Sequence, residues 1–453
     1  MSRFIPRHSV TAGATSAERW LVRNSGRGPD CAAEPGDDID RVTRAWNGFL
    51  NAVRRELHRR QKAPVGTFPH YTEGGHWKLL DSQGRSGKAG SYYDHGNWTA
   101  GFSPGLLWLY AAGSGDGDAI KLARSDLAQI APRADDHTTH DLGFLFHPSI
   151  VLGRLVGEVA ADQEAPAVRA ARMLAFRFNT RTDLIQAFGP IGEPSLAGTS
   201  TIDTMMNLPL LWWAAGHGGD VLMLDAARRH ARTSARLYFR PDGSTYHLLT
   251  LDPISGALLA RGTFQGADSE SCWSRGQAWA VCGFAWAFGV TGEHEFLCAA
   301  ERAAAYFFDH LPEDAVPPWD FNSHDAHSIR DASASAVVAL GCVLLASTHP
   351  SPADRNVYRR AAHVLLGSLA DSCLDASGLE DGILQHSCYS KPHAMGVDSA
   401  TAWGDYYFGL ALACATGILA VRTLLGGDLG WPFSSYDYDA DSNRTEEVQM
   451  ELL

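Results

Sequence analysis

Apolar residues recur at three- and four-residue steps along about twelve successive stretches of this chain, and that period constrains the fold more than any other feature. The stretches run near 39–60, 98–113, 117–131, 141–159, 164–179, 201–216, 219–236, 271–290, 294–310, 330–347, 352–372 and 399–423. Pro and Gly punctuate the joints between them. Alternate stretches are apolar nearly all round, as in TIDTMMNLPLLWWAAG over 201–216. A helix that is apolar on every side is buried on every side. Fully buried helices alternating with amphipathic ones predict an inner ring within an outer ring, an all-α (α/α)₆ barrel of six helical hairpins. One segment, 244–263, alternates with period two and predicts a small β-hairpin, with Asp252-Pro253 and Ser255-Gly256 near its turn.

The ends read differently from the middle. We expect a flexible N-terminal segment over 1–36, the barrel over 37–432 and a polar tail over 433–453, because both ends are rich in polar residues and lack periodicity. No apolar run is long enough for a transmembrane helix, and the N-terminus lacks the apolar core of a secretory signal. The eight cysteines (Cys31, Cys272, Cys282, Cys298, Cys342, Cys373, Cys388 and Cys414) form no C-x-x-C pair, and several lie in apolar helical runs. That usage fits a reducing compartment, so a cytoplasmic location is expected. A net charge of −13 argues against nucleic acid or an anionic membrane as partner. Nothing in the sequence specifies an oligomeric state.

Each inner stretch begins with a polar cluster. These are Asn97-Trp98-Thr99, His140-Asp141, Ile202-Asp203, Trp273-Ser274-Arg275, Arg330-Asp331 and Trp403-Gly404-Asp405. Inner helices of one sense would bring all of these N-terminal ends to one mouth of the barrel. Free N–H groups and positive dipole ends would gather there and favour an anionic ligand.

Several residues carry both a structural and a chemical reading. Asp141 and Asp203 each stand at a helix start, where Asp commonly caps the helix. Two carboxylates at one mouth beside Trp and His are equally the equipment of glycoside chemistry, one holding a proton and the other ionised. His247 is either a surface histidine of the hairpin or a polar group over the pocket. The segment 265–277 contains Gln265, Trp273 and Arg275; it is a polar loop with a cap or a ligand-binding rim. An Arg near a helix N-terminus opposes the dipole, which points to an anion held by its planar fork. Trp98, Phe188, Trp273 and Trp403 are core residues or sugar-stacking platforms, and thirteen tryptophans is a high number for one chain. The Asp135–Asp141 run lacks H-E-x-x-H and any second ligand set at zinc spacing, so neither a metal nor another cofactor is expected.

These segments together resemble glycoside hydrolase family 88, the unsaturated glucuronyl hydrolases. The resemblance lies in NWTAGFSPGLLW (97–108), HDLGF (140–144), IDTMMNLPLL (202–211), WSRGQAW (273–279), PPWDF…RDASASA (317–336) and WGDYYF (403–408). The segments run in family order across about 90–425. The resemblance implies an (α/α)₆ barrel and an unusual reaction. The C4=C5 double bond that a polysaccharide lyase leaves in a terminal uronate is hydrated, and the glycosidic bond is lost as a consequence. It implies Asp203 as general acid and base, Asp141 as supporting carboxylate and His247 as an assisting group. Trp98, Phe188, Gln265, Trp273 and Arg275 would contact the sugar, and Ser387, Ser390 and Lys391 the leaving residue. The partner would be an unsaturated uronate-bearing di- or oligosaccharide. Two positions depart from the family pattern: Asn97 stands where Asp is frequent, and Phe188 where Trp is. Three other readings stay open on the sequence: an unsaturated rhamnogalacturonyl hydrolase, a non-catalytic sugar-binding (α/α)₆ protein, and a sugar epimerase lacking the paired histidines that chemistry wants.

Overall fold

The structure, a computed structural model, describes residues 14–24, 35–83, 96–323 and 329–426. Helix α1 (Ser16–Asn24) precedes the barrel. The outer ring comprises α2 (Pro35–Arg60), α4 (Gly117–Ile130), α7 (Ala165–Phe176), α9 (Val221–Leu237), α11 (His294–His310) and α13 (Pro352–Ser372). The inner ring starts with α3 (Phe102–Ser114) and continues with the pair α5 (Leu142–Phe146) and α6 (Leu152–Leu155). It is completed by α8 (Leu208–Gly216), α10 (Ser274–Thr291), α12 (Ala332–Thr348) and α14 (Ala402–Ala415). A short α15 (Val421–Leu424) follows.

Burial explains the two rings. Every residue from Ser274 to Val290 in α10 is buried, as is every residue from Ala402 to Cys414 in α14. Helix α9 instead buries Met223, Ala226, Ala227, His230, Ala231 and Ser234 and leaves its Arg-rich face outside, a stripe at helical spacing. The inner ring closes on itself: α10 packs on α12, α12 on α14, α14 on α3, α3 on the α5–α6 element, α5 on α8 and α8 on α10. Small residues permit the close approaches. A Cβ on Gly101 would lie 2.3 Å from the carbonyl oxygens of Phe144 and Leu145.

Two inner helices are irregular. Between α5 and α6 the chain makes a π turn over His147–Val151. Pro148 has no N–H to donate, so the regular ladder is interrupted there. The stretch expected to be helical from 201 begins as a 3₁₀ turn (Ile202–Met206), with Pro209 in the first turn of α8.

Among the described residues, four small antiparallel sheets decorate the barrel: β1 (Thr67–Glu73) with β2 (His76–Asp81), β3 (Phe178–Asn179) with β4 (Leu184–Ile185), β5 (Thr199–Thr201) with β6 (Leu248–Leu251) and β7 (Leu258–Gly262), and β8 (Ser387–Ser390) with β9 (Met395–Ser399). The expected hairpin over 244–263 is β6–β7, to which β5 adds a third strand. The β1–β2 hairpin was not anticipated, although Gly74 and Gly75 mark it. Their φ values of +58° and +80° suit a turn that needs two left-handed residues.

The N-terminal region also differs from expectation over part of its length. Residues 16–24 form a helix because Trp20 and Leu21 have a core to join; Trp20 lies 5.4 Å from Phe308, centroid to centroid. The rest of 1–36 apart from Ala14, Thr15 and the first residues of α2, the tail over 433–453, and Cys31 lie outside the described residues. No described helix is long and apolar enough to cross a membrane.

Candidate active site

The N-terminal ends of α3, α5, α8 and α10 converge on one cavity of about 300 Å³, whereas the polar starts of α12 and α14, expected at the same mouth, are not on its wall: Asp331 is bonded to Arg275 and Asp405 to the N–H groups of Ile383 and Leu384. Its wall contains Trp98, Thr139, His140, Asp141, Phe144, Phe188, Asp203, Phe264, Gln265, Trp273, Arg275, Trp279 and Tyr389, with Gly96 at its edge. Seven of the residues singled out from sequence are thus brought together: Trp98, Asp141, Phe188, Asp203, Gln265, Trp273 and Arg275.

The two carboxylates sit on different supports. Asp141 occupies the N-cap position of α5, yet its side chain makes no capping bond. Its Oδ2 accepts from the Thr139 hydroxyl at 3.0 Å, and its Oδ1 lies 3.3 Å from His140 Nε2. Asp203 projects from the 3₁₀ turn that β5 leads into, and Thr201 rather than Asp203 is the N-cap there. The Asp203 Oδ1 is buried without a hydrogen-bond partner. Burial pushes the Asp203 carboxyl above its ordinary value; the neighbouring His140 opposes that rise and the Asp141 charge adds to it.

His247 completes this corner. Its Nε2 lies 3.9 Å from Asp203 Oδ1, and its Nδ1 pairs with the Thr263 hydroxyl at 3.0 Å. The ring packs against Phe264 and Trp273, at 4.3 and 4.4 Å between centroids. Burial, reinforced by the Arg275 charge, pushes its pKa down to about 3, so the imidazole is neutral near pH 7.

Elsewhere on the wall, Trp98 stacks on Trp403 at 5.0 Å and donates from its indole N–H to the Tyr389 hydroxyl at 3.2 Å. Arg275 does not hold out an open fork. One terminal nitrogen bonds Asp331 at 2.6 Å and also reaches the Cys388 carbonyl, and the other bonds the Tyr389 carbonyl at 2.6 Å. The guanidinium lies between Trp273 and Trp403. Its opposition to the helix dipole, read from sequence as a sign of a ligand, is answered first by the Asp331 carboxylate.

Ser387, Ser390 and Lys391 are not on the cavity wall. Ser387 Oγ accepts from the Ser333 N–H at 3.1 Å and so anchors the start of α12, while Ser390 Oγ pairs with His393 Nδ1 at 2.7 Å. From that strand it is Tyr389 that reaches the cavity. Sequence reasoning missed Tyr389 and Phe264 as wall residues, although each adjoins a residue it chose; His140, which it set at the mouth without a role, is on the wall as well. Among the described residues, no group of three or more His, Cys, Asp or Glu side chains is arranged to hold a metal ion.

A ring of buried helices whose N-termini frame an aromatic-walled pocket with two carboxylates defines a glycoside hydrolase of the (α/α)₆ class. Comparison with known proteins narrows the class. No protein-family model matches the chain. The unsaturated glucuronyl hydrolase of Bacillus sp. (strain GL1) is 35% identical over 349 residues, covering 75% of this chain and 89% of that protein. The unsaturated chondroitin disaccharide hydrolase of Streptococcus pyogenes serotype M1 is 34% identical over 325 residues, covering 70% and 80%. A crystal structure of the unsaturated glucuronyl hydrolase from Bacillus sp. GL1 superposes with a TM-score of 0.75 at 32% identity, covering 82% of this chain and 96% of that one. The chain belongs to the unsaturated glucuronyl hydrolases.

Proposed function

We propose that this protein removes the 4,5-unsaturated uronic acid from the non-reducing end of lyase-generated, glycosaminoglycan-type oligosaccharides by hydrating its C4=C5 double bond. The observation that carries this reading is the pair Asp141 and Asp203 on one aromatic-walled cavity, with Asp203 desolvated.

The residues supply the reaction as follows. Desolvation and the Asp141 charge favour a protonated Asp203, which delivers its proton to C4. Positive charge develops at C5 and is shared with the ring oxygen. Water adds to C5 and returns a proton to the Asp203 carboxylate, so the acid is regenerated. The hemiketal opens by breaking the bond between C5 and the ring oxygen. That leaves a ketone at C5 and a hemiacetal at C1, whose collapse releases the leaving sugar. One water is consumed in total. Neutral His247, 3.9 Å from Asp203, is suited to orient that water rather than to compete for the proton. Trp98, Phe188, Gln265 and Trp273 shape the sugar site, and Arg275 contributes a fixed positive charge to the wall. A cytoplasmic location is part of the proposal: Cys272, Cys282, Cys342, Cys373 and Cys388 are buried free thiols, as a reducing compartment favours. Recovery of the activity outside intact cells would contradict that location.

The test follows the ultraviolet absorbance of the conjugated uronate while sugar release is measured on the same sample. Loss of absorbance in step with release supports hydration. Release with absorbance intact would mean displacement at C1, and neither would leave a binding protein. A lyase product from rhamnogalacturonan, run alongside, separates the two unsaturated uronyl activities.

A further inference from the structure

Behind the His247 ring stands a hydroxyl. Gly262 of β7 pairs with Leu248 of β6, so the next cross-strand position sets Thr263 opposite His247. The hairpin thereby brings Thr263 Oγ1 to 3.0 Å from His247 Nδ1. The ring is held in that orientation, because Phe264 and Trp273 pack against it at 4.3 and 4.4 Å between centroids. Its backbone is held too: the His247 carbonyl accepts at 3.0 Å from the N–H of Ile202, the residue before Asp203. The far ring nitrogen, Nε2, therefore faces Asp203 Oδ1 at 3.9 Å, and both atoms are buried without a hydrogen-bond partner.

A neutral imidazole carries its one proton on Nδ1 or on Nε2, and the group bonded to one nitrogen decides the state of the other. His247 is neutral because burial and the Arg275 charge both oppose a second proton. Thr263 Oγ1 already accepts from the Gly266 N–H at 2.8 Å. Its own proton then has Nδ1 as acceptor. A ring that accepts at Nδ1 carries its proton on Nε2. The opposite tautomer would give the Thr263 oxygen a second donor and turn its proton away from the ring. It would also present a bare Nε2 to Asp203. That nitrogen would take a hydrogen bond from the protonated carboxyl and hold back the proton that C4 needs. An Nε2–H does the reverse. It offers the acid proton no acceptor, and once C4 has taken that proton it is placed to donate to the carboxylate left behind, directly or through water.

We propose that Thr263 is a positioning residue, whose hydroxyl donates to His247 Nδ1 and so fixes the Nε2–H tautomer that faces Asp203. Its part in turnover rests on the reaction proposed above; the tautomer itself does not. Thr263 is not on the cavity wall, so it acts through His247. A carboxylate behind the ring would accept from Nδ1–H and leave Nε2 as a base. A donating hydroxyl makes Nε2 a donor instead, which leaves proton transfer to Asp203.

The experiment reads the tautomer and the rate separately. Long-range proton–nitrogen NMR correlations on the full chain, labelled with ¹⁵N-histidine, distinguish a protonated ring nitrogen from a bare one, and a His247→Gln spectrum assigns the signals. Near pH 7 and without substrate, wild-type His247 should show Nε2–H and a bare Nδ1. Thr263→Val, which keeps the shape and removes the hydroxyl, should bring in the Nδ1–H form, and Thr263→Ser should restore the wild-type spectrum. By loss of uronate absorbance, Thr263→Val should lower kcat by about 10–100-fold, as when the outer partner of a working imidazole is removed, with KM changed less than threefold or so. Thr263→Ser should recover most of that loss. If Thr263→Val does not fold, Thr263→Cys, whose thiol is a weak donor, makes the same comparison. A wild-type ring protonated on Nδ1, or a folded valine variant with an unchanged spectrum, would overturn the proposal while leaving the reaction standing. So would a changed tautomer with kcat intact. No loss of absorbance with the wild type would bring down the reaction, and the role of Thr263 in it, whatever the spectra show.

Discussion

Gly143 and Asn207 touch backbone to backbone: a Cβ on Gly143 would lie 2.3 Å from the Asn207 Cα and 2.6 Å from its carbonyl oxygen. The contact sits between the two carboxylates. Asp141 is two residues before Gly143, and Asp203 four residues before Asn207. The Asn207 side chain ties the two sides further, accepting from the Phe144 N–H at 2.9 Å and donating to the Asp203 carbonyl at 3.4 Å. The spacing of the acidic pair is thus set by a place where only hydrogen fits.

Gly143→Ala should therefore act on catalysis more than its size suggests. The α5 and Asn207 backbones must part, which costs about 1–3 kcal/mol of stability. A shift of about 1 Å in a reacting group lowers rates by about 10²-fold. Urea unfolding and kcat measured together check this. A variant that loses stability but keeps kcat would show that the carboxylates are positioned by something else.

Asp203→Asn should lower kcat by about 10²–10⁴-fold, the range for loss of a general acid. It should also alter pH dependence in a definite direction. The folded-state pKa of Asp203 lies above the ordinary value of 3.8, chiefly through burial. Activity that needs the protonated form falls as pH rises through that raised pKa. Stability follows the same sign: the unfolded chain ionises first, so folding loses free energy as pH climbs from about 4 through the folded-state value. Asparagine escapes that loss. The variant's melting temperature, relative to wild type, should improve as pH is raised and not as it is lowered.

Acid should destabilise the protein through its buried histidines. Burial pushes His70, His147, His230 and His247 each down to about 3 from 6.5. Between those values the unfolded chain binds more protons than the native one, so stability drops as pH falls from 6.5 toward 3. His147 is pushed down by desolvation alone, with no charged neighbour contributing. His147→Leu should flatten the slope of unfolding free energy against pH in that window, and an unchanged slope would contradict the assignment.

Asp331→Asn should cost about 3–5 kcal/mol, the usual penalty for stripping one partner from a buried pair. Asp331 and Arg275 are both essentially inaccessible and meet at 2.6 Å. Asp331 also accepts from the Cys388 N–H at 3.3 Å, so α10, α12 and β8 meet at this one carboxylate. Denaturant unfolding of Asp331→Asn beside Arg275→Met/Asp331→Leu measures it. The apolar pair should recover much of the loss, because no lone charge is left inside.

The helical periods and their boundaries were legible because each records a local rule. Capping, Pro, Gly and the burial stripe act within a few residues, and ten of the expected stretches end within a few positions of α2, α3, α4, α7, α8, α9, α10, α11, α12 and α13. The π turn at His147–Val151 and the 3₁₀ turn under Asp203 were less legible, since Pro148 and Pro209 interrupt a pattern without saying what replaces it. Ser387, Ser390 and Lys391 were chosen by resemblance alone. Whether a strand residue faces a cavity or anchors a neighbouring helix depends on what packs behind it, and Tyr389 took the place given to them.

The sequence by itself determined the ring-within-a-ring architecture and most of the residues at its mouth, because burial periodicity and the polar start of each inner helix are properties of single segments. Only the tertiary structure decided which of those residues act as neighbours. The closeness of His247 to Asp203, the diversion of Arg275 onto Asp331 and the meeting of Phe188 with Phe264 join segments 44, 56 and 76 residues apart in the numbering. Distances and desolvation between such segments arise only when the helices pack, and no local pattern encodes them.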